Sequence, residues 1–119
     1  MIEIFEQTLS HGQLNSRVYI EPLGFMRGRT FKNAFVIADE MQNSTPSQMK
    51  MLLTRIGDNS KMLVLGDIDQ SDLETRNGLE DILDLINCQD LEYIDHVHMS
   101  QGDVVRHPCV AEILSLYVK

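Results

Sequence analysis

The fold class is decided by Ala34-Phe35-Val36-Ile37-Ala38, a continuous apolar run that ends abruptly in Asp39-Glu40. Such a run is typical of a strand that is buried on both faces of a parallel sheet. A second run, Met62-Leu63-Val64-Leu65, closes on Gly66-Asp67 and predicts a second buried strand. Weaker strand patterns at residues 18–20 and 93–98 bring the predicted number of strands to about four.

Helical patterns alternate with these strands. Thr45-Pro46-Ser47-Gln48 places a hydroxyl at the N-cap, proline at the first helical position and Gln at the third. A helix is therefore predicted to begin at Pro46, and Gly57 is predicted to stop it in a left-handed conformation. Further helices are predicted after Gly78 and from Pro108, each with apolar residues along one face. We therefore predict an α/β fold in which right-handed crossovers connect parallel strands.

Length and composition are those of an ordinary domain. The chain has 119 residues, 43% hydrophobic and 24% charged, so one domain over residues 1–119 is expected. Cys88 and Cys109 form no C-x-x-C pair, and no apolar run is as long as a membrane span, so a cytoplasmic protein is expected. The net charge of −8 repels phosphate backbones, so any nucleic-acid contact would need a local basic patch or another chain.

Polar clusters follow both buried strands. Ligands of open parallel sheets bind beyond the carboxyl ends of the strands, so Asp39, Glu40, Asp67 and Gln70 should share one edge if the strands are neighbours. Apolar residues followed by adjacent acids have the form of a Walker B element. There, the first carboxylate holds the water shell of Mg²⁺ and the second orients the attacking water. The alternative interpretation is that each Asp only caps the next turn.

Several short motifs, in this order and spacing, resemble those of the PhoH-like P-loop ATPases. They are Met26-Arg27-Gly28-Arg29-Thr30, Ala34 to Pro46, Gln48-Met49-Lys50-Met51, Leu53-Thr54-Arg55-Ile56-Gly57, Gly66-Asp67-Ile68-Asp69-Gln70 with Asp72-Leu73, and Asp103-Val104-Val105-Arg106-His107-Pro108. The resemblance covers residues ~20 to 119, and independent motifs rarely coincide at compatible spacing by chance. The departures are small: Ala38 and Met41 stand where the family more often has Leu and Ala, and Leu73 to Gly78 is altered.

The resemblance implies a P-loop NTPase-like parallel sheet with flanking helices, related to the superfamily 1 helicases. It further implies ATP and Mg²⁺ as cofactors, assembly into an oligomer and an association with RNA. On that reading Asp39 is the Mg²⁺ ligand and Glu40 the catalytic carboxylate. Gly66 and Asp67, followed by Gln70, are similar to the helicase motif whose Gln senses the γ-phosphate, with Gly66 allowing close backbone approach.

Three arginines join the implied site. Arg106 resembles a charge-stabilising arginine that acts in cis or across a subunit boundary. Arg27 and Arg29 lie in a loop hinged by glycines and could contact phosphate of a nucleotide or of RNA. The alternative interpretation of this pair is that both are solvated loop charges, because arginines are mostly exposed in any case.

The phosphate-cradling motif G-x-x-x-x-G-K-[ST] does not occur in these 119 residues. The resemblance places it, with its strand, upstream of the matched motifs, so the chain is expected to be an incomplete domain from which the P-loop strand is absent. We therefore expect a partner that carries the P-loop half, either a separate polypeptide or a homologue in a homo- or hetero-oligomer. Hydrolysis of ATP by this chain alone is not expected, since Mg²⁺ sites of this kind borrow ligands from phosphates.

Two other classes of function remain open. The chain could be a non-catalytic interaction module that docks onto a complete homologue, because open sheet edges offer a means of association. Alternatively, Asp67 and Asp69 with Glu40 resemble the acids of metal-dependent phosphodiester-cleaving enzymes. Such an enzyme would need metal but no ATP.

Overall fold

Two short parallel strands form the sheet of this protein, whose computed structural model describes residues 18–87, 89–100, 102 and 105–118. β1 is Phe35–Ala38 and β2 is Lys61–Val64. They pair in register, with Phe35 opposite Lys61 and Ala38 opposite Val64. The crossover between them contains a helix, as parallel pairing requires. The predicted α/β class, with a parallel sheet and flanking helices, is confirmed.

One face of this sheet is covered and the other is not. Ala38, Met62 and Val64 pack against the core, whereas Phe35 is 64% exposed and Leu63 is 43% exposed. Alternate residues of a strand point to opposite faces, so burial on a single face gives this alternation. The prediction that both faces of each strand are buried is therefore wrong for the residues that the structure describes.

Helix α1, Pro46–Leu53, begins where the capping motif predicts. The Thr45 hydroxyl accepts a hydrogen bond from the Gln48 amide at 3.1 Å, and the Thr45 amide donates to Gln48 Oε1 at 3.0 Å. Two of the amides that a helix start leaves unpaired are thereby satisfied. Met49 and Leu52 are 1% and 3% exposed and carry the buried face of the helix.

The end of α1 differs from the prediction. The helix stops at Leu53, and Gly57 is not left-handed, because Gly28 is the positive-φ glycine among the described residues. Residues 55–57 instead pair with Phe31, which donates to the Arg55 carbonyl and accepts from the Gly57 amide. A Cβ on Gly57 would lie 2.7 Å from the Phe31 carbonyl oxygen. Gly57 is therefore needed for this close approach and not for a helix stop.

Helix α2, Gly78–Ile86, packs against α1. Asn77 caps it by accepting from the Glu80 amide at 2.9 Å and is itself 0% exposed. The buried apolar core lies where these two helices meet the covered face of the sheet, and its members are Met26, Met41, Met49, Leu52 and Leu79.

The chain divides into two compact units between Gln89 and Asp90. The second unit contains helix α3, Pro108–Tyr117, which begins at the predicted proline. The expectation of a single domain over residues 1–119 stays a prediction.

Two predicted strands are absent from the structure. Residues 18–20 and 93–98 are described, and neither segment has strand conformation or a ladder partner. A strand persists only when its amides and carbonyls pair with a neighbouring chain segment. The apolar patterns were therefore insufficient, and the sheet has two strands among the described residues where about four were expected.

Candidate functional site

The parallel register brings the two polar clusters to the same edge of the sheet. Beyond the strands, the Leu65 amide donates to the Ala38 carbonyl at 2.8 Å, and the Met41 amide donates to the Leu65 carbonyl at 3.0 Å. Asp39-Glu40 and Gly66-Asp67 therefore leave neighbouring strands side by side. We call the group Asp39, Glu40, Asp67 and Gln70 the acidic edge. All four of its residues are exposed.

Each aspartate of the acidic edge also makes a local turn contact. Asp39 Oδ1 accepts from the Glu40 amide at 2.9 Å, and Asp67 Oδ1 accepts from the Asp69 amide at 3.0 Å. The capping interpretation is therefore correct as far as it goes. Each contact occupies one of the two carboxylate oxygens, so capping and ligand binding by the same side chain are compatible.

Glu40 has an unusual backbone. Its φ of 57° and ψ of 36° place it in the left-handed region, which costs a non-glycine residue roughly 1–2 kcal/mol. The residue begins a short 3-10 helix, Met41–Asn43, that turns the chain back over the sheet edge. Strain of this kind persists only where surrounding contacts hold it, and it clusters at functional sites.

Gln42, which the sequence analysis did not assign to the site, joins the two strand ends. Its side chain is 1% exposed. Its Nε2 donates to Glu40 Oε2 at 2.6 Å, and its Oε1 accepts from the Asp67 amide at 3.1 Å. Gln42 stands in the polar run after β1, but the sequence carries no signal for its burial, because that depends on a partner 25 residues away.

Gly66 makes room for this glutamine. A Cβ at position 66 would lie 2.8 Å from Gln42 Oε1 and 2.8 Å from Leu79 Cδ2. Packing therefore gives a reason for glycine here, and the expected backbone approach to phosphate stays a prediction. Gln70 closes the next 3-10 helix, Ile68–Gln70, where its amide donates to the Asp67 carbonyl at 3.1 Å.

More hydrogen bonds tie the segment after β1 to the segment after β2. Ser71 Oγ donates to the Gln42 carbonyl at 2.9 Å, and the Asp72 amide donates to Asn43 Oδ1 at 3.0 Å. Because both ends of the strand pair are bonded to each other, the acidic edge has a defined geometry although its side chains are exposed.

The predicted arginine pair does not join the acidic edge as a unit. Arg29 forms an ion pair with Glu21, and its guanidinium carbon lies 5.8 Å from the Phe31 ring centre. Phe31 forms a parallel bridge with Ile56 ahead of both strands, at the amino-terminal end of the sheet. Arg29 is therefore separated from the acidic edge by the length of the strands, and Arg27 is exposed in the same loop.

Arg106 lies in the second unit, shortly before α3, and is exposed. Asp103 and Val104 of the same motif lie outside the described residues. The assignment of Arg106 to the site stays a prediction.

The donors of the acidic edge are oxygen atoms, the ligand type that Mg²⁺ prefers. Among the residues that the structure describes, no group of three or more His, Cys, Asp or Glu side chains could hold a metal ion. A cation at this edge would thus need oxygens from elsewhere, as in sites where one or two carboxylates act with substrate phosphates. The residues present fit Mg²⁺ on that condition.

A parallel strand pair with acids at its carboxyl edge and a buried amide beneath them is typical of a nucleotide-binding α/β protein. Over residues 2–118 the chain matches the family described as PhoH-like protein, and it belongs to that family. None of the described helices has the length and apolar character that a membrane crossing requires.

Curated relatives support the same assignment. The chain is 48% identical over 103 residues to a PhoH-like protein of Synechocystis, a match that covers 85% of this chain and 31% of the relative. It is 46% identical over 104 residues to one of Bacillus subtilis, covering 86% and 32% respectively. With a Mycobacterium tuberculosis PhoH-like protein the identity is 42% over 122 residues, covering 98% and 32%. The chain thus spans about a third of the length of these relatives.

Proposed function

We propose that this chain supplies the Mg²⁺-binding and γ-phosphate-facing residues of an ATP site of PhoH type, and that a P-loop-bearing segment completes the site. The observation that carries the proposal is the parallel pairing of β1 and β2, because it brings Asp39-Glu40 and Gly66-Asp67 to one edge. Membership of the PhoH-like family supports the choice of ATP as the ligand.

Asp39 would hold the cation, with Asp67 beside it. Bound Mg²⁺ would supply neutralisation of charge on the phosphate oxygens. Asp39 suits this task because it is exposed and directly follows a strand that is fixed on one side by its neighbour. The residues around it contribute no closed cage, so its affinity for the cation would depend on the bound nucleotide.

Glu40 would orient the attacking water and accept its proton at a carboxylate oxygen. Its backbone is held in the left-handed region and its Oε2 accepts a bond from Gln42, so its orientation is set before a ligand arrives. Gln70 would contact the γ-phosphate from the adjacent turn. Arg106 would stabilise charge in the transition state, within the site or across a subunit boundary.

The P-loop would come from a homologous partner or from another polypeptide segment, in a homo- or hetero-oligomer. Contact with RNA would fall to a surface other than the acidic edge, which repels phosphate unless a cation is bound. Arg27 is the candidate contact for phosphate there, because Arg29 is already paired with Glu21. We propose that the protein acts in the cytoplasm.

Reconstitution tests the proposal. The chain is mixed with the P-loop-bearing part of a full-length PhoH-like relative, and phosphate release from ATP is measured with and without Mg²⁺. We expect Mg²⁺-dependent hydrolysis that Glu40→Gln lowers by about 100-fold or more while ATP binding persists, because the amide cannot accept the proton.

Two controls accompany this assay. Glu92→Gln, which makes the same chemical change at an exposed position of the second unit, should leave hydrolysis within a factor of about two. Undiminished hydrolysis by the Glu40→Gln variant would refute the catalytic role of Glu40. Equal hydrolysis in the absence of this chain would refute the proposal as a whole.

A second candidate function, a non-catalytic docking module, is favoured by one observation. The uncovered sheet face exposes apolar side chains, among them Phe35 at 64% and Leu63 at 43%. Surfaces of this kind promote association between chains. Stable association with a complete PhoH-like homologue, without any change in hydrolysis on Glu40→Gln, would support this candidate over the first.

A further inference from the structure

Gln42 lies directly beneath the acidic edge, and its amide is the link between the two strand ends. The side chain is 1% exposed, yet both of its polar atoms have partners: Nε2 donates to Glu40 Oε2, and Oε1 accepts from the Asp67 amide. A buried amide with both ends satisfied is rigid, because any rotation would leave a polar group without a partner.

The partners also fix which way round the amide lies. An ionised carboxylate can only accept a hydrogen bond, and a backbone N–H can only donate one. The amide of Gln42 must therefore place its nitrogen toward Glu40 and its oxygen toward Asp67. A Glu at this position would set two carboxylates against each other, and a Met of similar length would satisfy neither partner.

The surrounding backbone holds Gln42 as firmly as its side chain is held. The Gln42 carbonyl accepts from Ser71 Oγ at 2.9 Å, and Gly66 leaves the space that the amide fills. The residue that Gln42 contacts, Glu40, carries the left-handed backbone of the site. An orientation that is held from so many sides is what a strained catalytic carboxylate requires.

We propose that Gln42 is a positioning residue, which orients the Glu40 carboxylate for hydrolysis and couples it to the turn that begins at Asp67. This inference rests on the proposed function, since it assigns Glu40 its catalytic role. Gln42 itself does not touch the nucleotide. A shift of the Asp67 turn on nucleotide binding is transmitted through one amide to the general base.

Amide hydrogen exchange in the isolated chain tests the link without ATP. In Gln42→Met, the Asp67 amide should exchange about tenfold faster, because its acceptor is lost. The Leu65 amide, which donates to Ala38 in the strand ladder, should be unchanged. Gln89→Met makes the same chemical change at an exposed position and should alter neither amide. Unchanged exchange at Asp67 in Gln42→Met would overturn the inference.

The reconstituted ATPase tests the consequence for chemistry. Gln42→Met should lower kcat by about 100-fold with KM for ATP within about threefold, because the misplaced base impairs the chemical step and not binding. In a Glu40→Gln background the same substitution should change kcat by less than about threefold, because a residue that acts through Glu40 has nothing left to act on.

The outcomes separate this inference from the proposed function. Hydrolysis by wild-type protein that Gln42→Met leaves intact would overturn the positioning role and leave the proposed function standing. Equal losses in the wild-type and Glu40→Gln backgrounds would also overturn it, since they indicate a general structural effect. Where Gln42→Met fails to fold, Gln42→Glu keeps the shape and should lower kcat at least as much. No hydrolysis by the wild-type complex would refute the proposed function and the inference together.

Discussion

The acidic edge and the junction between helices α1 and α2 both contain polar side chains at the start of turns, but they differ in burial. At the edge, the carboxylates are exposed and make one local contact each. At the junction, Ser44 is 2% exposed and Asn77 is 0% exposed. Among the described residues, every buried side-chain N or O atom has a hydrogen-bond partner.

The difference indicates how the two regions divide the work. Buried, satisfied polar groups specify how helices and sheet meet, so changes there should alter stability. Exposed carboxylates contribute little to stability, so they are available to a ligand. Substitutions in the two regions should therefore affect different measurements, and Gln42 should be the residue that affects both.

The largest expected effect belongs to the apolar centre of the junction. Met49 is 1% exposed, and Met49→Ala should lower the free energy of unfolding by about 2–5 kcal/mol, because it removes buried contacts and leaves a cavity. Urea denaturation measures the change. Met99→Ala, at a residue that is 76% exposed, is the matched control and should cost less than about 0.5 kcal/mol. Equal losses for the two variants would show that the junction is not the stabilising centre.

A smaller loss is expected at the buried cap of α2. Asn77 accepts from the Glu80 amide and donates from Nδ2 to Glu80 Oε1 at 3.0 Å. Asn77→Ala should cost about 1–2 kcal/mol in unfolding free energy, since it removes the cap and leaves a helix amide without its partner. Asn87→Ala at the exposed end of the same helix should be near neutral. A loss below about 0.5 kcal/mol for Asn77→Ala would contradict the importance assigned to buried polar groups.

The smallest effect on stability is expected at the acidic edge. In Asp39→Asn the side-chain oxygen can still accept from the Glu40 amide, so the turn contact survives. The unfolding free energy should change by less than about 0.5 kcal/mol. A large loss would mean that Asp39 is a structural residue, and it would remove the distinction between the two regions.

The parts of this structure that the sequence predicted well depend on local signals. The capping box at Thr45 and the helix starts at Pro46 and Pro108 are written in neighbouring residues, and all are present. The two apolar runs that end in acids are strands and are neighbours. The side-by-side placement of Asp39 and Asp67 follows from those runs, because parallel neighbours end at the same edge.

The parts that were missed depend on contacts between distant residues. The burial of Gln42 is set by Asp67 and Gly66, and the close approach at Gly57 is set by Phe31. The segment at 93–98 has strand-like residues, but a strand also needs a paired neighbour that no local pattern specifies. Burial of each strand on both faces was expected from composition, whereas burial depends on which elements cover the sheet.

Calorimetry of Mg²⁺·ATP binding tests the central claim most directly. The chain is titrated alone and together with the P-loop-bearing part of a PhoH-like relative, and Asp39→Asn is compared with wild type in the mixture. We expect tight, Mg²⁺-dependent binding in the wild-type mixture only, weakened by about tenfold or more in Asp39→Asn. Tight Mg²⁺·ATP binding by the chain alone, or equal affinity of the two mixtures, would contradict the account.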